Sequence, residues 1–315
     1  SSSPSSETRN RSARPRKTSL RYSSSAPQAR VLVAFTETAR DYGRVAHAIR
    51  KNTTLFLKPL LMLCRESSNR WSSCVDAELT APIGPTDYQE ALGRLKDVGR
   101  TVEKYRPLDD HTRVSRLHEM LLLRYLDSRQ NRAIGPTANV HLSDGYDYPL
   151  AGTLADNPDS TGRNLLESLR DTGLVRGRVV DRVHVCPSCG DFRLNFREVC
   201  PHCRSLVFAE EDTLHHFRCS YVGRKSEFQQ NEALVCPKCE RRLRHVGVDY
   251  DKPRRDFWCA DCSRQFEDPE VECHCLQCGV TSAPDEAEVR SFREYEITPD
   301  GKLAAQEGSY PETHV

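Results

Sequence analysis

Apolar residues come in short runs separated by polar stretches. Val31-Leu-Val-Ala-Phe35 is a run of strand type, and Tyr42 to Lys51 carries Val45, Ala46 and Ile49 at helical spacing. Leu55 to Leu63 predicts a second buried strand, and Pro85 to Val98 predicts another helix. Residues 31–106 therefore form a small αβ domain. A helix is predicted over Asp109 to Arg129, with two aspartates at its start and Val114, Leu117, Leu121 and Tyr125 near one face. Met120, Leu122 and Leu123 widen that face, so the helix packs against something; 107–144 is a helical connector. Gly135 to Asp159 is rich in turn residues, Gly162 to Leu169 reads as a short helix, and Val179, Val180, Val183 and Val185 mark a strand.

Composition sharpens this picture. Of 315 residues, 37% are hydrophobic, 7% aromatic and 29% charged. That is thin for one large core, since average chains are nearer ~45–50% apolar. The net charge of +1 argues against a uniformly basic nucleic-acid binder and against an acidic solvating protein. The longest apolar run, Leu55 to Cys64, is broken by Lys58 and Pro59 and falls short of the ~20 residues of a membrane helix. Residues 1–30 hold seven Arg or Lys against Glu7 and are Ser-rich, which predicts a disordered basic leader. Residues 281–315 carry eight acids against three bases and predict an acidic, mobile tail, with a hairpin about Asp300-Gly301.

Cysteine changes the reading most. Twelve of the fourteen cysteines lie between Cys186 and Cys278, while Cys64 and Cys74 have no partner spacing and read as buried thiols. A dense local CxxC pattern without a secretory signal peptide points to a reducing, cytoplasmic setting and to metal rather than disulfides. Five pairs are present: Cys186/Cys189, Cys200/Cys203, Cys236/Cys239, Cys259/Cys262 and Cys275/Cys278. His216-Phe-Arg-Cys219 has the same spacing with His in first place. Twelve ligands fill three tetrahedral sites, so three structural Zn2+ per chain are expected. Two ligands three positions apart let one tight turn put both on one ion with backbone N–H groups directed at the thiolates. The fold class predicted is α+β: the small αβ domain followed by a β-rich multi-zinc-ribbon module.

Pairing is less determined. Cys236/Cys239 with Cys259/Cys262, across a nineteen-residue arm, has the form of a zinc ribbon and is the expected first site. The remaining pairs allow two wirings. In one, Cys186, Cys189, Cys200 and Cys203 share an ion, leaving His216, Cys219, Cys275 and Cys278. In the other, Cys200, Cys203, His216 and Cys219 form a site and the first and last pairs meet. His215 is an alternative to His216, and Cys273, His274, His202 and His184 are spare groups beside these sites.

Function classes can be weighed on charge and motif. Between Arg182 and Val280 there are fifteen Lys or Arg and sixteen Asp or Glu. Two tetrathiolate zincs and one with three thiolates and a histidine bring the module to about −6, a poor field for phosphates. A zinc-ribbon nucleic-acid-binding regulator is thus the alternative reading, resting on Arg241, Arg242, Arg244, Arg254 and Arg255. No catalytic residues are assigned: no His is followed by Glu at the second position, no P-loop, dinucleotide loop or GxSxG is present, and the ligand count leaves no open zinc position.

Two stretches resemble known families. Asp181-Arg-Val-His-Val-Cys-Pro-Ser-Cys-Gly190, Leu194-Asn-Phe-Arg-Glu-Val-Cys-Pro-His-Cys203, His215-His-Phe-Arg-Cys219, Leu234-Val-Cys-Pro-Lys-Cys239, Leu243 to Asp251 and Cys275-Leu-Gln-Cys278 together resemble the thaumarchaeal output domain family over roughly 145–280. The resemblance implies a metal-binding output module of prokaryotic signalling proteins, working through protein contacts, with signalling proteins as partners. In that family the module accompanies receiver or cyclic-dinucleotide synthase domains, and this chain has neither intact. Asp76 to Leu95 resembles the end of a receiver domain, where a strand runs into Lys-Pro and a final helix. Ala81 stands in place of the Lys and no acidic pair follows Phe35, which implies a degenerate, non-phosphorylatable pseudo-receiver. The reading is a non-enzymatic zinc-binding signalling adaptor with no membrane segment.

Overall fold

The structure, a computed structural model, describes residues 30–130, 132–154, 162–252 and 255–311. The leader expected over 1–30 lies, Arg30 apart, outside the described residues. The chain divides into two compact units: one of residues 1–181 and 291–315, the other of 182–290. The second is thus an insertion in the sequence of the first. No described helix is long and apolar enough to cross a membrane.

The first unit opens with β1 (Leu32–Thr36), α1 (Ala39–Lys51), β2 (Leu60–Cys64) and β3 (Ala77–Thr80), the strands forming a parallel sheet in the order β1-β2-β3. The Thr38 side chain caps α1 by accepting from the Asp41 N–H at 3.1 Å. Of the strand expected over 55–63, only 60 onward is strand. Asn52 ends α1 and its Oδ1 accepts from the N–H of Thr54 and Leu55, so the chain turns there, and Pro59 lacks the N–H a ladder needs. The stretch that resembles a receiver's end runs as β3, a cis Ala81–Pro82 peptide and α2 (Pro85–Val102). Ala91 and Leu95 of α2 pack on Leu61, with Leu63, Ala77 and Leu79 beside them.

The helix expected over 109–129 is two, α3 (Asp110–Ser115) and α4 (Leu117–Ser128), broken at Arg116 with φ −135° and ψ 26°. The break lets α4 bury Met120 to Leu126 while Val114, on α3, stays 79% exposed. Asp76, just before β3, ties this helix to the sheet. Its carboxylate meets Arg50 at 2.8 Å, Arg129 at 2.9 Å and Arg132 at 3.2 Å. Arg129 also lies over the buried Tyr125 ring, 4.0 Å from its centroid.

The short strands β4 (Thr137–Ala138) and β5 (Tyr146–Asp147) pair and lead through α5 (Pro149–Gly152) and α6 (Arg163–Asp171) to β6 (Val175–Val185). β6 pairs with β18 (Glu288–Ile297), followed by α8 (Pro299–Glu307). The hairpin expected about Asp300-Gly301 is therefore the first turn of a helix. Thr298 Oγ1 accepts from the Gly301 N–H at 3.1 Å and Pro299 occupies the first helical position. Glycine is required at 301 by closeness: a Cβ there would fall 2.1 Å from the Leu174 carbonyl oxygen. The Arg124 Nε–H of α4 donates to Ala305 O at 2.9 Å, so α8 is docked rather than a loose tail.

The second unit is strand-rich, and its longer strands run out and back. Outward come β7 (Leu194–Val199), β8 (Phe208–His216) and β9 (Tyr221–Arg224); α7 (Lys225–Phe228), β10 (Gln229–Gln230), β11 (Ala233–Val235), β12 (Arg242–Leu243) and β13 (Tyr250–Asp251) form the far end. The chain returns as β14 (Arg255–Cys259), β15 (Gln265–Phe266), β16 (Glu270–Cys275) and β17 (Thr281–Ser282). β14 pairs antiparallel with β8 from Arg255↔Asp212 to Cys259↔Phe208, and β16 with β7 from Glu270↔Val199 to Cys275↔Leu194. Apolar cores are small. One gathers Leu214, Phe228, Leu243 and Tyr250 around Cys236; the other gathers Phe266, Phe208 and Phe257 around Cys200 and Cys259.

Candidate metal centres

Six four-residue turns supply the ligands, and each begins where a strand ends. Cys186, Cys200 and Cys236 follow β6, β7 and β11 directly, and His216, Cys259 and Cys275 are the last residues of β8, β14 and β16. Each of these first ligands is buried, while the second ligand of its pair is partly or fully exposed. In the five CxxC turns the N–H of the residue after the second cysteine donates to the first cysteine's carbonyl at 2.8–3.0 Å. That residue has positive φ in every turn: Gly190, Arg204, Glu240, Ser263 and Gly279, and likewise Ser220 after Cys219.

Strand pairing brings the six turns together in three groups: Cys186, Cys189, Cys275 and Cys278; Cys200, Cys203, Cys259 and Cys262; His216, Cys219, Cys236 and Cys239. In the first group Sγ atoms approach at 3.7 Å, for Cys186 with Cys278 and for Cys189 with Cys275. In the second, Cys200 and Cys262 lie 3.8 Å apart and Cys203 and Cys259 3.5 Å apart. In the third, His216 Nδ1 is 3.1 Å from Cys219 Sγ and 3.5 Å from Cys239 Sγ, and Cys219 and Cys236 Sγ are 3.5 Å apart. These separations are far beyond the ~2.05 Å of a disulfide. They match the edge of a thiolate tetrahedron, ~3.8 Å for Zn–S bonds of ~2.3 Å. The residues therefore fit a tetrahedral, sulfur-rich ion such as Zn2+, and each group could hold one.

The groups are nested. The last two pairs of the sequence close back on the first two in reverse order, and the two middle pairs meet each other. The ribbon expected from Cys236, Cys239, Cys259 and Cys262 does not form. β14 pairs along its whole length with β8, which places Cys259 opposite Phe208 and beside Cys203. Between Leu243 of β12 and Tyr250 of β13 that nineteen-residue arm turns, held by Asp249 Oδ2, which accepts from the Arg244 N–H at 2.8 Å and the His245 N–H at 3.0 Å. Neither wiring of the remaining pairs occurs whole, although the meeting of first and last pairs expected in the second does. A signal for the nesting was present: the arms joining the outer to the middle centre are nearly equal, with 10 residues outward and 12 back.

Electrostatics favours thiolate at the first cysteine of two turns, while the second cysteines Cys189 and Cys203 are pushed up to about 12 among the neighbouring thiols. The Cys189 N–H directed at Cys186 holds that thiol down to about 7, and the Cys262 N–H does the same for Cys259, to about 6. His216 is 3% exposed and joins its group. Alternation along β8 turns His215 the other way, to Asp251 at 3.4 Å. Of the spare groups, His202 rests edge-on to Phe266, His184 edge-on to Phe196, and His274 meets Thr281 Oγ1 at 3.1 Å. Cys273 is buried outside the three groups, as are Cys64 and Cys74 in the first unit.

No curated protein and no solved structure matches the chain. The family model thaumarchaeal output domain 1 matches residues 110–297, from the start of α3 to the end of β18. The match takes in every one of the twelve clustered residues and more than half of the chain, leaving out the β1–β3 sheet, α1, α2 and α8. With its clustered Cys and His able to bind metal, a role in signalling output fits, and the chain belongs to the thaumarchaeal output domain 1 family.

Proposed function

We propose that this chain is a non-enzymatic signalling output protein in a reducing, cytoplasmic setting, in which three structural Zn2+ brace residues 182–290 as a rigid surface for a protein partner. The observation that carries this is the completeness of the three groups, each with four ligand atoms within 4.8 Å of one another. Four protein ligands per ion leave no position for water or substrate, whereas a catalytic zinc keeps one open. Thiolate-rich donors favour Zn2+ over oxygen-seeking ions. The charge of about −6 on the metal-loaded module supports protein contact over phosphate binding.

Elemental analysis of protein purified without added metal should find three zincs per chain. A strong chelator should then abolish the folded signature of 182–290 while the helices of the first unit persist, because the small cores of the second unit are built around the thiolates. Fewer than three zincs, or a module that stays folded after chelation, would overturn the structural role. Salt-sensitive binding of duplex or single-stranded oligonucleotide would overturn the protein-contact reading.

A further inference from the structure

The outer edge of β1 is chemically unguarded. β1 is the terminal strand of its sheet, and Leu32-Val-Ala-Phe-Thr36 contains no charge and no proline, the usual devices that stop an edge from pairing. In the ladder with β2, the Leu32 N–H donates to Pro59 O at 2.8 Å, so by alternation Leu32, Ala34 and Thr36 turn their backbone groups toward β2. The N–H and C=O of Val33 and Phe35 then face outward, on the side where no described strand pairs with β1. The same two residues expose their side chains. Val33 and Phe35 stand beside Leu61 and Leu63 on the face that α2 covers, but α2 stops short of them, leaving them 45% and 55% exposed.

We infer that β1 pairs antiparallel with β1 of a second copy of this chain, about a two-fold axis through Ala34. The occupant is specified by the strand's own register. With the axis at Ala34, Val33 of each copy stands opposite Phe35 of the other, so both outward-facing residues fall at hydrogen-bonded positions. Their side chains then meet as two aromatic–β-branched cross-strand pairs on one face, while the small Ala34 meets its counterpart on the other. An axis normal to the sheet keeps both α2 helices on the same face, with the Val33–Phe35 ridge filling the gap between them. The contact is isologous and self-limiting, because pairing consumes the open edge of each copy.

Sedimentation velocity on the full chain should show a reversible dimer. Phe35→Lys should raise its dissociation constant by at least about tenfold without changing metal content or circular dichroism. Ala34→Cys gives an independent reading, because a pair opposite across the axis has Cα atoms ~4.5 Å apart, within disulfide reach. Under mild oxidant, Ala34→Cys should yield a covalent dimer well above the unsubstituted chain, whereas Val33→Cys, which faces Phe35, should not. A monomer at every concentration, a dimer indifferent to Phe35→Lys, or equal cross-linking through positions 33 and 34 would each overturn the proposal.

Discussion

Asp76 is a single buried carboxylate shared by three guanidinium groups, two of them also buried: the Arg50 side chain is 0% and the Arg129 side chain 4% exposed. Burial by itself would raise its pKa, but Arg129, Arg50 and Arg132 outweigh that and hold it well below the usual carboxylate range. The folded value therefore lies below the unfolded ~3.9, so the contribution of Asp76 is complete above that pH and is lost as pH falls through the folded value. Asp76→Asn should destabilise the first unit by about 3–5 kcal/mol at pH 7, because it strands buried positive charge. Urea unfolding followed by helical circular dichroism checks this, and a loss below about 1 kcal/mol would contradict it. Nothing in the sequence near Asp76 announced the cluster, since its partners lie 26, 53 and 56 residues away. The candidate ligands were legible for the opposite reason: a CxxC turn is a local object, and its chemistry is written in four consecutive positions. The left-handed residue after each pair was also local, yet only Gly190 and Gly279 signal it, because Arg204, Glu240 and Ser263 adopt the same backbone without being glycine.

At the scale of elements, the fate of each half-site is decided by which strands pair. β8 could close on β14 or the chain could fold 236–262 on itself; the ribbon spacing pointed to the second, but CxxC turns are interchangeable as metal ligands and the β8–β14 ladder selects the first. Nesting predicts which double variants share a centre. Cys203→Ser with Cys262→Ser should cost one zinc, leaving two per chain, whereas Cys203→Ser with Cys239→Ser should leave one. Under the ribbon pairing of 236–239 with 259–262, Cys239→Ser with Cys262→Ser would remove a single zinc, so its removal of two distinguishes the arrangements. Elemental analysis of the purified variants reads all three. Helices were legible to within a few residues where caps and apolar spacing agreed, as for α1. They were misread where a break reorients the chain, as at Arg116, or where Thr298-Pro299 caps α8 in a segment that composition marked as tail. For α8 the docking contact is distant: the Ala305 carbonyl accepts from Arg124, 181 residues earlier.

At the scale of the whole molecule, the fold class was legible because helices dominate from residue 85 to 171 and CxxC turns begin at 186. The insertion of one unit within the other was not, because β18 carries no mark of its partnership with β6. The nested centres carry a further consequence, in time rather than space. Only 16 residues separate Cys219 from Cys236, against 55 between Cys203 and Cys259 and 85 between Cys189 and Cys275. Closing a longer loop costs more chain entropy, and each inner closure shortens the effective loop left for the next. Ions taken up by the three groups should therefore load from the inside outward and leave from the outside inward. On a growing chain the His216 centre is complete within 24 residues of synthesis, while Cys186 and Cys189, made first, wait longest for their partners.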